Sequence, residues 1–243
     1  MKITDLLFYV KLYEVIPIAK KLYMEYEHLA RDVAFHPKMK VRLNVYSPAG
    51  DTDHPVLIFV HGGGWSKFRK ELFAPAAMKL LPEKMVVVIP DHTLYPDAGY
   101  EQMTHEVTAA LSWTLENIEQ YGGNPRRVVI GGHSSGGQLV GLAMLEPRFL
   151  HAYRHTKDEV CGVILANSGY DISAQYAFGQ GEGKGDTPLM RAMIGVMGGQ
   201  ENFSTVFPIN YVQPDLSPIL LIHGDEDQTV PVSIAVDFHA ALQ

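Results

Sequence analysis

Short apolar runs alternate with helical patterns along most of the chain. Runs rich in β-branched residues predict six strands, at positions 41–46, 56–60, 85–89, 128–130, 160–166 and 219–222. Apolar residues at helical spacing predict helices between them, near positions 71–81, 103–120, 138–145 and 232–242. Strands that alternate with helices are typical of a mostly parallel sheet with helices on both faces, so the pattern predicts an α/β fold.

The first forty residues have a different pattern. Apolar positions from Leu6 to Ala30 fall largely on one helical face, and charged positions from Lys11 to Asp32 fall on the opposite face. Pro17 either breaks this pattern or begins a second helix. We expect amphipathic helices over residues 1–40 that cover the sheet or the mouth of a site. Because the polar face mixes acidic and basic residues, weak association with a membrane surface is the less favoured alternative.

One turn carries the strongest chemical signal in the sequence. The strand at 128–130 runs into a glycine-rich turn in which Gly132, Ser134 and Gly136 form a G-x-S-x-G pattern. A serine at the tip of a sharp strand-to-helix turn is sterically crowded, and glycines two residues to either side remove the crowding. The turn predicts Ser134 as a nucleophile, and an ordinary strand-to-helix turn is the alternative.

A second glycine-rich turn follows the strand at 56–60, with the sequence His61-Gly62-Gly63-Gly64-Trp65. Consecutive glycines let the backbone approach a ligand and turn its amides inward. Acyl transfer needs such donors for the oxyanion of its tetrahedral intermediate. The two turns in this order favour acyl transfer over a merely flexible glycine loop.

Together with two further segments, these turns resemble motifs of the α/β-hydrolases. Within that family the chain is similar to the hormone-sensitive-lipase-like esterases, the kynurenine formamidases and the isoprenylcysteine methylesterases. The further segments are PDHTLYP at 90–96 and HGDEDQTVP at 223–231. The resemblance spans about residues 41–243 and implies an α/β-hydrolase fold, formed as one domain over residues 1–243.

The resemblance also implies roles for particular residues. Ser134 would be the nucleophile, and the amides of Gly63, Gly64 and Ser135 would form the oxyanion hole. Asp227 would be the acid of a catalytic triad, which orients a histidine and stabilises its imidazolium. Asp225 is a weaker candidate, because it lies two residues too early for the motif.

The family pattern is incomplete at the base. The histidine of the family follows the acid after one more helix and one more strand, whereas sixteen residues follow Asp227 here. Those residues predict one helix, in which His239 would face away from Ser134. We therefore expect a C-terminal truncation of a longer enzyme, or else a natural variant without its base. In either case the chain itself should be nearly inactive.

A long insertion at 170–216 separates the last two predicted strands. It contains a glycine-rich stretch at 178–185, followed by apolar residues at helical spacing over 189–197. In the family that the chain resembles, this position often carries cap elements over the acyl pocket. We expect a cap or core helix at 189–197, while the glycine-rich part is either cap or surface loop.

Composition excludes several classes of protein. A net charge of −7 without a Lys/Arg run argues against nucleic-acid binding. No apolar run is long enough for a membrane span, the N-terminus does not resemble a secretory signal, and we expect a cytoplasmic protein. The single cysteine, Cys161, lies in an apolar run that predicts a buried side chain. Metal-ligand spacings and phosphate-loop motifs are absent, so we expect neither metal nor cofactor.

These observations predict a serine hydrolase of small to medium carboxylic esters that acts through an acyl-enzyme on Ser134. An aryl formamidase is the first alternative, because the turn at 61–65 also fits the H-G-G-x-W form of that group. A prenylcysteine methylesterase is a further enzymatic alternative. From a different class, a hydrolase fold kept for binding would account for the missing histidine.

Overall fold

A seven-stranded sheet organises the protein, as seen in a computed structural model that describes residues 16–21, 24, 26–181 and 187–243. The strand order is β1-β2-β4-β3-β5-β6-β7. Pairing is antiparallel between β1 and β2 and between β2 and β4, and parallel from β4 through β3, β5, β6 and β7. The strands are β1 Leu29–Val33, β2 Leu43–Tyr46, β3 His54–Val60, β4 Val86–Pro90, β5 Gly123–His133, β6 Gly162–Ala166 and β7 Ile219–Ile222.

Helices cover both faces of this sheet. They are α1 Ala74–Leu80, α2 Tyr100–Asn117, α3 Ser135–Leu145, α4 Pro147–Ala152, α5 Ile172–Gly181, α6 Pro188–Val196 and α7 Val232–Ala241. Strand β4 is buried throughout, and its side chains alternate between two cores. Val86 and Val88 belong to the core shared with α2, α3 and α7, whereas Val87 and Ile89 pack with α1. Burial on both faces explains why the central strands are continuous apolar runs.

The six predicted strands are confirmed, with boundaries that differ by a few residues, and one further strand was missed. Residues 29–33 form β1 rather than the predicted helix, since Leu29 and Ala30 pair with Tyr46 and Val45 of β2. Pairing at the sheet edge overrides the helical periodicity of this short segment. Residues 16–21 are helical, as expected around Pro17. Residue 24 is also helical, but residues 26–28 and 34–40 form turns and irregular segments, so the expected helices do not extend over them. The expected helix positions at 1–15, 22, 23 and 25 lie outside the described residues.

The buried position predicted for Cys161 is wrong. Cys161 is exposed, and its thiol donates a hydrogen bond to the carbonyl of Arg126 at 3.1 Å. Cys161 lies between the buried Val160 and the first residue of β6. Because neighbouring residues of an extended chain face opposite sides, Cys161 faces solvent where Val160 faces the core. An apolar run therefore did not imply burial of each of its members.

The insertion between β6 and β7 contains the predicted helix as α6. Its residues Met190, Met193 and Val196 are buried in the main core, so α6 packs against the body of the domain. Helix α5 and two 3-10 turns, Gln200–Thr205 and Pro208–Tyr211, complete the described part of the insertion. Over the described ranges, no helix has the length and apolar character needed to cross a membrane.

Helix α7 packs on the body of the domain through Ile234, Ala235 and Phe238, which are buried in the main core. The fully buried ring of Phe238 stacks on Tyr170, with ring centroids 4.4 Å apart and an interplanar angle of 14°. On the opposite side of the helix, Val236 is 59% exposed. Phe238 is therefore the largest of the buried side chains that hold α7, which follows the turn containing Asp227, against the domain.

We expect Phe238→Ala to lower the free energy of unfolding by about 3–5 kcal/mol, because the substitution leaves a cavity beneath α7. Val236→Ala in the same helix should change it by less than about 0.5 kcal/mol, since that side chain is mostly in water. Urea unfolding of both variants measures the difference. Equal and small effects would show that α7 does not depend on this contact.

Candidate active site

Ser134 occupies a strained turn between β5 and α3. Its backbone dihedrals are φ 52° and ψ −124°, a conformation that is costly for a residue with a side chain. The Ser134 amide donates a hydrogen bond to the carbonyl of Ala166, at the end of β6, over 2.9 Å. The neighbouring strand thus holds the turn in place, with Ser134 at the carboxyl ends of the parallel strands.

The glycines around Ser134 are required by close backbone contacts. A Cβ atom on Gly136 would lie 2.3 Å from the carbonyl oxygen of His61 and 2.4 Å from that of Val60. A Cβ on Gly132 would lie 2.6 Å from the carbonyl group of Gly136. The steric crowding that the sequence pattern predicts is therefore present in the turn.

The second glycine turn packs directly against the first. A Cβ on Gly62 would lie 2.9 Å from the Cβ of Ser134 and 2.7 Å from the carbonyl oxygen of His133. Gly63 and Gly64 have φ values of 138° and 57°, which favour glycine. The backbone of this turn, with its two predicted oxyanion donors, therefore lies beside the predicted nucleophile.

Two hydrogen bonds fix the far end of the glycine turn. The Trp65 indole donates to the side-chain oxygen of Gln138, in α3, at 3.1 Å. The amide of Tyr95 donates to the carbonyl of Trp65 at 2.9 Å. Because Gln138 lies in the helix that begins at Ser135, the turn and the third predicted oxyanion donor are held by one helix.

Asp227 lies in the turn after β7, and both of its carboxylate oxygens accept hydrogen bonds. Its Oδ1 accepts hydrogen bonds from the amides of Thr229 and Val230 at 2.8 and 3.0 Å, and its Oδ2 accepts one from the Asn167 side chain at 2.8 Å. Burial alone would raise the pKa of Asp227, but these hydrogen bonds outweigh it and lower the pKa. The carboxylate is therefore ionised at neutral pH, as a triad acid must be.

Asp225 differs from Asp227 in its exposure to solvent and in its hydrogen bonding. It is exposed, and its carboxylate accepts no hydrogen bond from the described part of the chain. This contrast favours Asp227 over Asp225 as the candidate acid.

Asn167 is a site residue that the sequence analysis missed. It has a positive φ of 47°, and its amide donates to the carbonyl of Ile222 at 2.8 Å while its side chain binds Asp227. The available signal was a polar residue immediately after the buried strand at 160–166, at the edge where parallel strands place their sites. Asn167 joins the ends of β6 and β7 to the candidate acid.

The structure pairs none of the described histidines with the candidate nucleophile. Across residues 16–21, 24, 26–181 and 187–243, Ser134 Oγ makes no hydrogen bond to an imidazole. His239 is exposed on α7 and contacts Gln243, as predicted for a helical residue. His223 contacts the carbonyl of Val230 at 2.8 Å, and its Nε2 lies 3.8 Å from Asp227 Oδ2.

His133 precedes the candidate nucleophile and packs against the glycine turn. Its Nδ1 would lie 2.9 Å from a Cβ on Gly62. The side chain is partly exposed to solvent. Its partial burial disfavours the charged ring and lowers the pKa of His133, and this effect outweighs the negative charge of Asp227, which would raise the pKa. In the described residues no group of three or more His, Cys, Asp or Glu side chains is arranged to hold a metal ion.

Solved structures share this fold. Thermogutta terrifontis esterase 2 phosphonylated by sarin superposes with a TM-score of 0.71 at 20% identity, over 88% of this chain and 79% of that one. Esterase B from Lactobacillus rhamnosis gives a TM-score of 0.77 at 19% identity, over 99% of this chain and 81% of that one. The sheet order, the serine turn and these neighbours define an α/β-hydrolase fold.

The family is shown by the sequence itself. The BD-FAE family model matches residues 43–242, and the chain belongs to this family. Among its relatives are the isoprenylcysteine alpha-carbonyl methylesterase ICME of Arabidopsis thaliana, 24% identical over 89% of this chain, and the probable carboxylic ester hydrolase LipM of Mycobacterium tuberculosis, 27% identical over 76% of it. The chain spans about half the length of these relatives, 53% of the first and 44% of the second.

The hydrogen bonds of Asp227 predict a pH-dependent stability. Since the folded pKa lies below the unfolded value of about 3.9, the stabilisation is present above pH 4 and is lost as the pH falls through the folded pKa. We expect Asp227→Asn to cost about 2 kcal/mol at pH 7 and progressively less below pH 4.

Urea unfolding between pH 7 and pH 3 measures this difference. Asp225→Asn is the matched control, because it removes an exposed carboxylate from the same turn, and its stability should follow that of the wild type at each pH. An Asp227→Asn cost that stays constant down to pH 3 would contradict the assignment.

Proposed function

We propose that this chain carries the nucleophile, oxyanion hole and acid of a serine hydrolase of carboxylic esters. The observation that carries the proposal is the contact between the two glycine turns. A Cβ on Gly62 would lie 2.9 Å from the Cβ of Ser134, so backbone amides of the 61–65 turn lie beside the serine. An acyl group bound to Ser134 would have its carbonyl oxygen within reach of these donors, as acyl transfer requires.

The reaction follows from this arrangement. Ser134 Oγ attacks the ester carbonyl and gives its proton to a base, and the amides of Gly63, Gly64 and Ser135 stabilise the oxyanion of the tetrahedral intermediate. The C–O bond to the alcohol breaks, and the alcohol leaves with the proton from the base. Water then attacks the acyl-enzyme by the same route, which releases the carboxylic acid and restores the serine.

We propose that the base is a histidine oriented by Asp227 and contributed by residues other than those described. Asp227 Oδ1 is occupied by two backbone amides, whereas Oδ2 accepts the Asn167 side chain and retains capacity for a further donor. Without the base a serine hydroxyl is a poor nucleophile, so residues 1–243 alone should hydrolyse esters only slowly. The intact mass of the protein isolated from its own cells tests this, because a base on further residues requires a mass above 27.0 kDa.

The relatives support an ester as the substrate. Two of them are named as a carbonyl methylesterase and a probable carboxylic ester hydrolase, and the structural neighbours are named as esterases. One neighbour is described as phosphonylated by sarin and phosphorylated by paraoxon. We extend this reactivity to Ser134, which makes an organophosphate a useful probe of a slow enzyme.

Ser134→Ala should remove both ester hydrolysis and covalent labelling by an organophosphate. We expect hydrolysis of p-nitrophenyl acetate to fall to the buffer rate and covalent labelling by paraoxon to disappear, because both require the Ser134 oxygen. Release of p-nitrophenol and the intact mass of the treated protein measure the two effects.

Ser168→Ala is the control, since the Ser168 hydroxyl lies beside Gly137 in the same region but bonds to the carbonyl of Ala166. It should retain labelling. Labelling that survives Ser134→Ala would place the nucleophile elsewhere.

Turnover of two substrates distinguishes the esterase from an aryl formamidase and from a fold kept for binding. An aryl formamidase should turn over N-formylkynurenine faster than p-nitrophenyl acetate, whereas an esterase should show the reverse order. A hydrolase fold used only for binding should show neither reaction, together with an intact mass of 27.0 kDa. Retention of Ser134, the glycine turn and Asp227 supports the esterase.

A further inference from the structure

Helix α6 places one apolar side chain directly against the glycine turn. A Cβ on Gly64 would lie 2.9 Å from Cδ1 of Leu189, the second residue of α6. Beyond Gly64 and its two chain neighbours, no other atom of the described residues lies within 4 Å of that position. Because Gly64 is one of the candidate oxyanion donors, the Leu189 side chain lies beside the place where a substrate carbonyl would bind.

Leu189 is the open end of a helix face that is otherwise buried. Residues four and seven positions apart lie on one side of an α-helix, and Met193 and Val196 stand in that relation to Leu189. Met193 and Val196 are 0% and 1% exposed, whereas Leu189 is only partly buried. The contact between α6 and the core therefore opens toward solvent at Leu189, beside the glycine turn.

The candidate nucleophile and two candidate donors are accessible to solvent in the same region. Ser134, Gly63 and Gly64 are each partly exposed. Part of their surface is therefore available to an ester. Leu189 adds an apolar surface next to them, which suits a hydrocarbon group of the substrate better than a charged one.

Contacts at both ends of α6 fix the helix relative to the glycine turn. At its start, the Thr187 hydroxyl caps the helix by accepting a hydrogen bond from the amide of the third helical residue at 3.2 Å. Near its end, a Cβ on Gly195 would lie 2.3 Å from the Tyr95 hydroxyl oxygen, so the helix backbone packs closely on that side chain. The Tyr95 amide in turn donates to the carbonyl of Trp65, which ends the glycine turn. The position of Leu189 is thus set by the same residues that hold the turn.

We propose that Leu189 is a specificity-determining residue whose side chain limits the length of the acyl chain, so that the substrates are esters of short acyl groups. This inference rests on the proposed function, which places the ester carbonyl at Ser134 and the glycine turn. The acyl group stays beside the donors in both tetrahedral intermediates, whereas the alcohol leaves after the first. A side chain against Gly64 therefore meets the acyl chain in both halves of the reaction.

Esters that differ only in acyl length test the proposal. The substrates are p-nitrophenyl acetate, butyrate and hexanoate, and the rate is the release of p-nitrophenol by each protein minus that by Ser134→Ala. We expect kcat/KM of the wild type to fall from acetate to hexanoate. Leu189→Ala should raise the hexanoate-to-acetate ratio about 10- to 100-fold, because a hydrophobic pocket discriminates by the space it leaves for each methylene. Leu189→Phe, which fills the space further, should lower the ratio.

Covalent labelling gives a second readout that needs only one reaction at Ser134. Ethyl p-nitrophenyl methylphosphonate and the corresponding hexylphosphonate differ in the alkyl group on phosphorus, which takes the place of the acyl chain. The Ser134 oxygen forms a bond to phosphorus, the P–O bond to the nitrophenyl group breaks, and p-nitrophenolate leaves while the serine proton passes to solvent. Intact mass measures the two labelling rates, whose ratio should change in the same direction as the ester ratio in each variant.

Ile194→Ala is the matched control. Ile194 lies in α6 and packs against the main core while partly exposed, as Leu189 does, but none of its atoms lies within 4 Å of a Cβ on Gly64. Truncation of either side chain to alanine removes the same carbon atoms, so both ratios should stay at the wild-type value in Ile194→Ala. A ratio that shifts as far in Ile194→Ala as in Leu189→Ala would show that loosening of α6 is the cause, and the proposal would fail.

Two further results would overturn the proposal. One is an unchanged ratio in both Leu189→Ala and Leu189→Phe. The other is a larger effect of these variants on acetate esters of increasing alcohol length than on the acyl series, which would place Leu189 beside the alcohol. Failure of the proposed function looks different, because hydrolysis and labelling would then be equal in the wild type and in Ser134→Ala, whatever residue occupies position 189.

Discussion

The close approach of two backbones is the constraint on which the candidate site depends. Strands β3 and β5 pair in a register that sets Val60 opposite Gly132, so the turns that follow them emerge side by side. The space between the turns admits no side chain, since a Cβ on Gly136 would lie 2.3 Å from the carbonyl oxygen of His61. The strained conformation of Ser134 can persist because the sheet fixes both ends of the contact.

Because the two turns meet through their backbones, hydrogen bonds from neighbouring residues hold the loops of the candidate site in place. The three glycines have no side chains, so the turn is held at its ends. The Trp65 indole bonds to Gln138 of α3, the Trp65 carbonyl accepts from the Tyr95 amide, and the His61 ring contacts the carbonyl of Gly62. The candidate acid is restrained in the same manner, by two backbone amides and by Asn167.

The sequence predicts the parts of this structure that are governed by local chemistry. Strand β4 is apolar throughout because both of its faces are buried, and β3 is apolar over residues 56–60. The two glycine turns are recognisable because their backbones exclude side chains. Strand β1 was missed because its five residues, LARDV, include two charges and are ordered by pairing with β2 rather than by their own pattern.

The rest depends on contacts between residues far apart in the sequence. Asn167 and Asp227 are sixty residues apart, and Lys70 and Asp91 are twenty-one apart, so neither pair has a recognisable spacing. The prediction that Cys161 is buried failed for a different reason. Whether the residue before β6 faces the core depends on where the pairing of β6 with β5 begins. Such features follow from the assembled sheet and not from any one segment.

Exposed apolar side chains and a carboxylate with acceptor capacity lie at the same edge of the described sheet. In the described residues β7 pairs only with β6, and its side chains Leu220 and Ile222 are 55% and 50% exposed. The turn that follows β7 holds Asp227, an ionised acid with acceptor capacity left on Oδ2. A base that approached Oδ2 of Asp227 would therefore lie beside the exposed edge that β7 forms in the described sheet.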